Sequence, residues 1–252
     1  MRETVRPAGD DSLLMTMAGN RLLATFPTDL RDTLHDSVEQ LSLEVGDSVL
    51  RRGEDVSHSV FPLGRTTVSL LIDLQDGRSV EVATIGSEGA VGGIVSCGQA
   101  PAFSRGEVMV GGAALRVSKQ LIEEAKQQSP HLRNLFCRYA DYLLAQIMQT
   151  VACNSFHPIE ARAARWLLTA QDRAGDRLDL TQEALAGLLG VQRTSVNAAA
   201  KQLQDEGLIS TRRGVIELLD REGLEARACE CHARVEQFFG EMIGERGTGP
   251  DA

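Results

Sequence analysis

The sequence predicts an α+β chain: an N-terminal antiparallel β-roll (cupin-like, a double-stranded β-helix), a long helix, and a C-terminal winged helix-turn-helix. Three patterns predict it. Apolar and polar residues alternate in short glycine-punctuated runs between Leu41 and Val117; apolar residues then recur every three or four positions from Leu132 to Val151; finally two short helices and a hairpin are spelled out between Leu180 and Leu218. At 252 residues and 42% hydrophobic, the chain has material for two cores. The expected boundaries are a flexible arm over 1–20, the roll over 21–128, a dimerisation helix and hinge over 129–156, the winged helix-turn-helix over 157–236 and a flexible tail over 237–252.

Taken in order, Asn20 or Thr28 caps brief entry helices that lead into the first strand at Leu41. The runs LSLEVGDSVLRRGE, SVFPL, TVSLLIDL, SVEVATIG, GEVMVGG and AALRVS then read as strands. Gln75-Asp76-Gly77-Arg78 is the clearest hairpin, because Asp-Gly adopts the positive φ angles of a tight turn. Helical spacing resumes after Ser118 to about Gln127, and past Ser129-Pro130 runs on to about Asn154. Its stripe, Leu132, Phe136, Tyr139, Leu143, Ile147 and Val151, reads as a dimer seam; the alternative is packing on its own roll. His157-Pro158 breaks the helix and marks a hinge, with His157 as a capping residue, before a helix from Pro158 to about Arg173.

Thr181 caps the next helix, whose Leu185, Leu188 and Leu189 face inward; Gly190 frees the backbone for a turn and Val191 fills the elbow. The second helix begins near Gln192. Val196, Ala199, Ala200 and Leu203 form its buried stripe, while Gln192, Arg193, Thr194 and Asn197 point outward, as donor-rich side chains that reach base edges and phosphates. Gly207 stops the helix, and Leu208-Ile209 opens a hairpin that turns at Arg212-Arg213-Gly214 and returns through Val215-Leu218: a wing with paired arginines at its tip.

A net charge of −9 excludes binding of nucleic acid by bulk attraction. From Arg177 to Arg221, six cations (Arg177, Arg193, Lys201, Arg212, Arg213, Arg221) meet six anions (Asp179, Glu183, Asp205, Glu206, Glu217, Asp220), so cations must be segregated on one face. The odd number of cysteines (Cys97, Cys137, Cys153, Cys229, Cys231) fits reduced thiols. Cys229, Cys231 and His232 invite a metal, yet residues two apart on a helix face different ways and no second ligand pair lies nearby, so no metal is assigned. No run approaches the roughly 20 apolar residues of a membrane span, nor a signal peptide, and the expectation is a cytoplasmic chain without a membrane partner.

The motifs VGDSVLRRGE, DGRSVEVATIGSEGAVGG, RAARWLL and LTQEALAGLLGVQRTSV resemble the CRP/FNR family of bacterial transcription regulators over roughly 20–235. The resemblance implies a cyclic-nucleotide-binding-like roll and a homodimer reading double-stranded DNA at an inverted repeat. RNA polymerase and a small-molecule effector are further partners to expect. By position, Gln182 resembles a backbone contact and Arg193, Thr194 and Asn197 the reading face, with Thr181, Gln192, Ser195, Lys201, Arg212 and Arg213 completing the interface. The family's phosphate-holding segment corresponds to Gly86, Glu88 and Gly89, and its arginine to Arg105. Gly106 stands where a hydroxyl is expected, so the pocket is degenerate, a cyclic nucleotide is disfavoured and no cofactor is identified.

No cysteine precedes Cys97, which excludes an N-terminal iron–sulfur cluster of about four cysteines; haem would need a buried axial ligand, for which His35 and His58 qualify only by lying in or near the roll, and no ATP-type glycine loop occurs. No catalytic constellation is present, so an enzyme is not expected. The alternative reading is a ligand-sensing adaptor whose winged helix binds protein rather than DNA.

Overall fold

The computed structural model describes residues 16–27, 31, 34, 37–93 and 101–243. They fall into two compact units, one drawn from 1–70 and 84–141, the other from 71–83 and 142–252. The division lies inside the long helix rather than at the hinge, and it assigns the far end of one roll hairpin to the C-terminal unit.

In the first unit, helix α1 (Arg21–Ala24) starts at Asn20, whose Oδ1 accepts from the amides of Leu22 and Leu23. Its Nδ2 donates to the carbonyls of Pro62 and Gly89 at 3.0 and 2.8 Å. Asn20 is wholly buried, as is Met17, so the arm expected to fray through residue 20 is anchored at its end. One polar side chain with four satisfied bonds explains this better than composition does. Thr28 lies outside the described residues.

The strands are β1 (Glu39–Leu43), β2 (Ser48–Leu50), β3 (His58–Pro62), β4 (Thr67–Asp73), β5 (Ser79–Ile85), β6 (Arg105–Val110) and β7 (Gly112–Ser118). They form two sheets, ordered β1-β7-β3 and β2-β6-β4-β5, and β7 pairs antiparallel with both β1 and β3. Alternation leaves one face outward on β6, where Gly106 and Val108 are buried between half-buried neighbours, whereas β3 and β4 bury consecutive residues and so are covered on both faces. At the β4–β5 turn Gly77 takes φ 83°, as its Asp-Gly pair requires.

Helix α2 (Lys119–Gln128) leads to α3 (Pro130–Phe156). Leu132, Phe136 and Tyr139 are buried within the first unit, Phe136 edge-on to Phe26 at 5.7 Å. The Tyr139 hydroxyl donates to the Ala90 carbonyl and accepts from its amide. These three residues are therefore corrected from dimer seam to core: the roll uses the N-terminal half of the stripe. Farther along, Leu143 and Ile147 are half-buried, and Leu144 (54%), Met148 (62%), Val151 (62%) and Phe156 (83%) are exposed.

The second unit continues with α4 (Ile159–Ala174), β8 (Arg177–Leu178), α5 (Gln182–Leu189), α6 (Arg193–Asp205), β9 (Ile209–Arg212), β10 (Val215–Leu218), α7 (Arg221–Arg227) and α8 (Cys231–Met242). Trp166 of α4 donates its indole N–H to buried Glu81 at 2.8 Å. The tail expected from residue 237 is helical to Met242, because Phe239 is buried edge-on to Tyr142 at 4.9 Å. Among the described residues no helix is long and apolar enough to cross a membrane.

Candidate nucleic-acid interface

The surface is set by two helices and a hairpin with well-made ends. Thr181 caps α5 by accepting from the Ala184 amide at 3.0 Å, and Gly190 ends it in the left-handed region at φ 65°. Arg162 of α4 donates to the Leu189 carbonyl at 2.6 Å, closing that same end from beneath. Val196, Ala199, Ala200 and Leu203 bury one face of α6, which fixes the rotation of the helix about its axis. Val191 at the elbow is only half-buried.

Gln204 ties α6 to the hairpin: its Oε1 accepts from both the amide and the hydroxyl of Thr211, at 3.1 and 2.7 Å. The hairpin pairs Arg212 with Val215, leaving Arg213-Gly214 as a two-residue turn with φ 47° and 82°. Positive φ at both positions is the twist-matched hairpin geometry, which asparagine and glycine adopt most easily. Arginine is less at ease there than asparagine or glycine, so the turn carries modest backbone strain.

A groove of about 440 Å³ runs between the start of α5, the start of α6 and the wing, lined by Thr181, Gln182, Arg193, Arg212 and Arg213. Gln192, the N-cap of α6, is exposed, as are Thr194 and Lys201 on the helix, and Ser195 is half-buried. Arg193 pairs with Glu183 at 3.3 Å, both side chains more than 60% exposed, so the bridge is cheap to exchange for a phosphate or base. Neither Arg212 nor Arg213 forms an ion pair among the described residues. Asn197 departs from expectation: it is half-buried with its carboxamide oxygen enclosed, because it sits beside Val196 and Ala200 at the edge of the buried stripe.

The expected effector residues are engaged in contacts within the fold. Glu88 is buried and its two carboxylate oxygens accept from the Gly86 amide, so it fastens its own turn. Gly89 lies under Tyr139, where a Cβ would come within 2.1 Å of the hydroxyl. Arg105 pairs with Glu107 on the same strand. The roll does hold a cleft of about 410 Å³, lined by Ser48, Arg51, Asp55, His58 and Arg116 among others, which includes none of the expected effector residues. His58 is exposed there rather than buried, and desolvation, helped by Arg116, holds its pKa below the ordinary value. His35 and Cys97 lie outside the described residues.

The second unit also gathers chemistry that the sequence reading dispersed. Cys153, His157, Cys229 and Cys231 present their ligand atoms within 4.8 Å of one another. Two premises against a metal fail. Cys229 precedes α8 and Cys231 opens it, so they do not share a helix, and the second pair, Cys153 and His157, comes from the end of α3. His157 does not cap α4, whose N-cap is Pro158 with no side-chain bond. His232 turns instead to Asp172, at 2.6 Å. The hydrogen bond between Cys153 and Cys229 holds the Cys153 thiol below its usual pKa and drives that of Cys229 upward, while burial raises Cys231.

A β-roll with a long helix followed by a winged helix-turn-helix is a fold that the comparisons with known proteins also find. Residues 161–227 match the Crp-like helix-turn-helix domain. Over 72 residues the chain is 43% identical to the HTH-type transcriptional regulator Cmr of Mycobacterium tuberculosis; that match spans 28% of each chain. Among solved structures, FixK2 of Bradyrhizobium japonicum superimposes with a TM-score of 0.66 at 16% identity, covering 76% of this chain and 98% of that one. A CRP-family transcriptional regulator of Thermus thermophilus gives 0.62 at 21%, covering 75% and 96%. Residues 161–227 thus carry a Crp-like helix-turn-helix domain, and the fold of the chain is the one seen in these solved structures.

Proposed function

We propose that the protein is a homodimeric, sequence-specific DNA-binding regulator that presents α6 to the major groove and the wing to the flanking backbone. The observation that carries this reading is the groove shared by Thr181, Gln182, Glu183, Arg193, Arg212 and Arg213, which gathers three cations against one anion in a segment, 177–221, whose charges sum to zero. Arg193 is placed to donate two hydrogen bonds to guanine, and Gln182 and the wing arginines to hold phosphates. Leu144, Met148 and Val151, spaced four and three apart and exposed, are the dimer face we assign to α3. A two-fold pair would set two recognition helices about 34 Å apart, one turn of DNA.

The loop from Gly86 to Gly89 and Arg105 is degenerate as an effector site, since its polar groups serve the fold. RNA polymerase and a diffusible effector rest on family resemblance alone. Binding of labelled duplex fragments by the full chain, measured against a variant with Arg193, Arg212 and Arg213 all changed to Glu, tests the reading. We expect specific binding to vanish in the variant while its fold, followed by circular dichroism, persists. Unchanged binding would favour the adaptor reading, in which this face meets protein.

A further inference from the structure

We infer that Cys153, His157, Cys229 and Cys231 form a three-thiolate, one-imidazole site for a single thiophilic divalent cation, zinc being the ion whose chemistry fits best. Three separate observations lead there. The first is geometric. A tetrahedral zinc with bonds of about 2.3 Å to sulfur and about 2.0 Å to nitrogen places neighbouring ligand atoms about 3.5–3.8 Å apart. Here Cys153 Sγ and Cys229 Sγ are 3.5 Å apart, Cys231 Sγ and His157 Nδ1 are 3.4 Å apart, and all four atoms lie within 4.8 Å. Small movements would bring them onto a common centre.

The second is the shell around the ligands. A histidine that ligates through one nitrogen is normally held by a carboxylate on the other. His157 faces the sulfurs with Nδ1, and its Nε2 lies 3.4 Å from Glu230 Oε2. Gln149 donates to Cys231 Sγ at 3.0 Å, the kind of bond that steadies a thiolate. Cys153 and Cys231 are fully buried and Cys229 is 9% exposed, with Ala161 packed against the group. Buried cysteines used only as small apolar residues would not need an imidazole and a carboxamide aimed into their midst.

The third is position in the chain. Cys153 and His157 lie one helical turn apart at the end of α3, and Cys229 and Cys231 flank the start of α8. The ligands therefore bracket the Crp-like domain over 161–227 and close it at its base, across the Pro158 break. Bonds that close so long a segment confine the unfolded chain, and they hold the end of α3 in register with the domain it precedes. This assignment rests on the cluster alone and is independent of the DNA-binding reading.

The test uses the full-length reduced chain. Elemental analysis of protein purified without chelator or metal resin is expected to give about one zinc per chain. After stripping, titration with cobalt(II) alone should produce sulfur-to-cobalt charge transfer and the visible bands of a tetrahedral ion, saturating at one equivalent and bleached by zinc. Cys153→Ser and Cys231→Ser should lose that spectrum; Glu230→Gln should keep it but weaken binding about 10- to 100-fold. Exposed Cys137 serves as control, and Cys137→Ser should match the parent. A thermal midpoint raised by several degrees on zinc addition is the accompanying stability readout. Absence of stoichiometric metal together with a cobalt spectrum lacking the thiolate band overturns the inference, and so does a Cys153–Cys229 disulfide in the unreduced chain with no metal bound. The parent titration decides the matter even where a variant fails to fold.

Discussion

The wing groove and the Gly86–Gly89 loop carry similar chemistry and use it in opposite ways. Both combine glycine turns with charged side chains at sites where the family resemblance implies contact with phosphates. In the loop, Glu88 binds its own backbone, Gly89 is roofed by Tyr139, and Arg105 is matched by Glu107. At the wing, Arg212 and Arg213 stand in solvent, one of them on a strained turn, and Arg193 holds a bridge that water already weakens. Polar groups satisfied internally stabilise a fold; polar groups left outside are available to a partner.

The sharpest way to break this contrast is at the loop. Tyr139→Ala removes a buried ring and both of its hydrogen bonds, and should cost the first unit about 3–5 kcal/mol in denaturant unfolding. Gly89→Ala, which drives a Cβ into the same hydroxyl, should cost about 1–3 kcal/mol. Should either variant keep full stability, the loop is not the structural device described, and a binding role returns.

On the other side, Arg193→Ala should lower specific DNA affinity by about 1–3 kcal/mol, roughly 5- to 150-fold, with little change in stability. Competition binding against specific and random duplexes separates these. Changing Arg212→Ala together with Arg213→Asn removes four arginines from the proposed dimer and should flatten the plot of log affinity against log salt by about three to four units. Asn suits the positive φ at position 213, so stability in this variant should hold or rise, and a fall in both affinity and stability would mean that the tip is structural after all.

These contrasts also explain what could be read from the sequence. The strands, the helices and the wing were legible because each follows from local periodicity and turn chemistry; even the Arg213-Gly214 turn announces itself. Long-range consequences were not. The stripe on α3 has one unbroken period, and nothing local says that Phe136 meets Phe26 while Met148 meets solvent. Asn197 is half-buried rather than fully outward, because how far a residue at the edge of a helical stripe is exposed depends on what packs beside it. Cys153 and Cys229 are too far apart in sequence for any ligand spacing to join them, and only the fold brings them together.

The smallest expected effect lies in the second unit, where Asp172 meets His232 and Arg221. Burial works to raise the pKa of Asp172, but hydrogen bonds from His232 and Arg221 outweigh it and hold the carboxyl below its ordinary value of 3.8. A depressed carboxylate contributes stability above its unfolded pKa and loses it as pH falls through the folded one. Asp172→Asn should therefore cost about 1–2 kcal/mol near neutrality, the bonds being partly solvent-exposed, and the difference from the parent should shrink as pH drops below about 4. A gap that stays constant with pH would contradict the ionic origin of the contact.

The central claim, that the face formed by α6 and the wing reads DNA as a symmetric pair, is tested most directly by selecting binding sites from a random duplex library with the purified full-length protein. The account predicts an enriched inverted repeat with half-sites about 10 base pairs apart, centre to centre, lost in the Arg193→Ala chain. Recovery of sequences without two-fold symmetry, or of no preferred sequence at low salt, would contradict it.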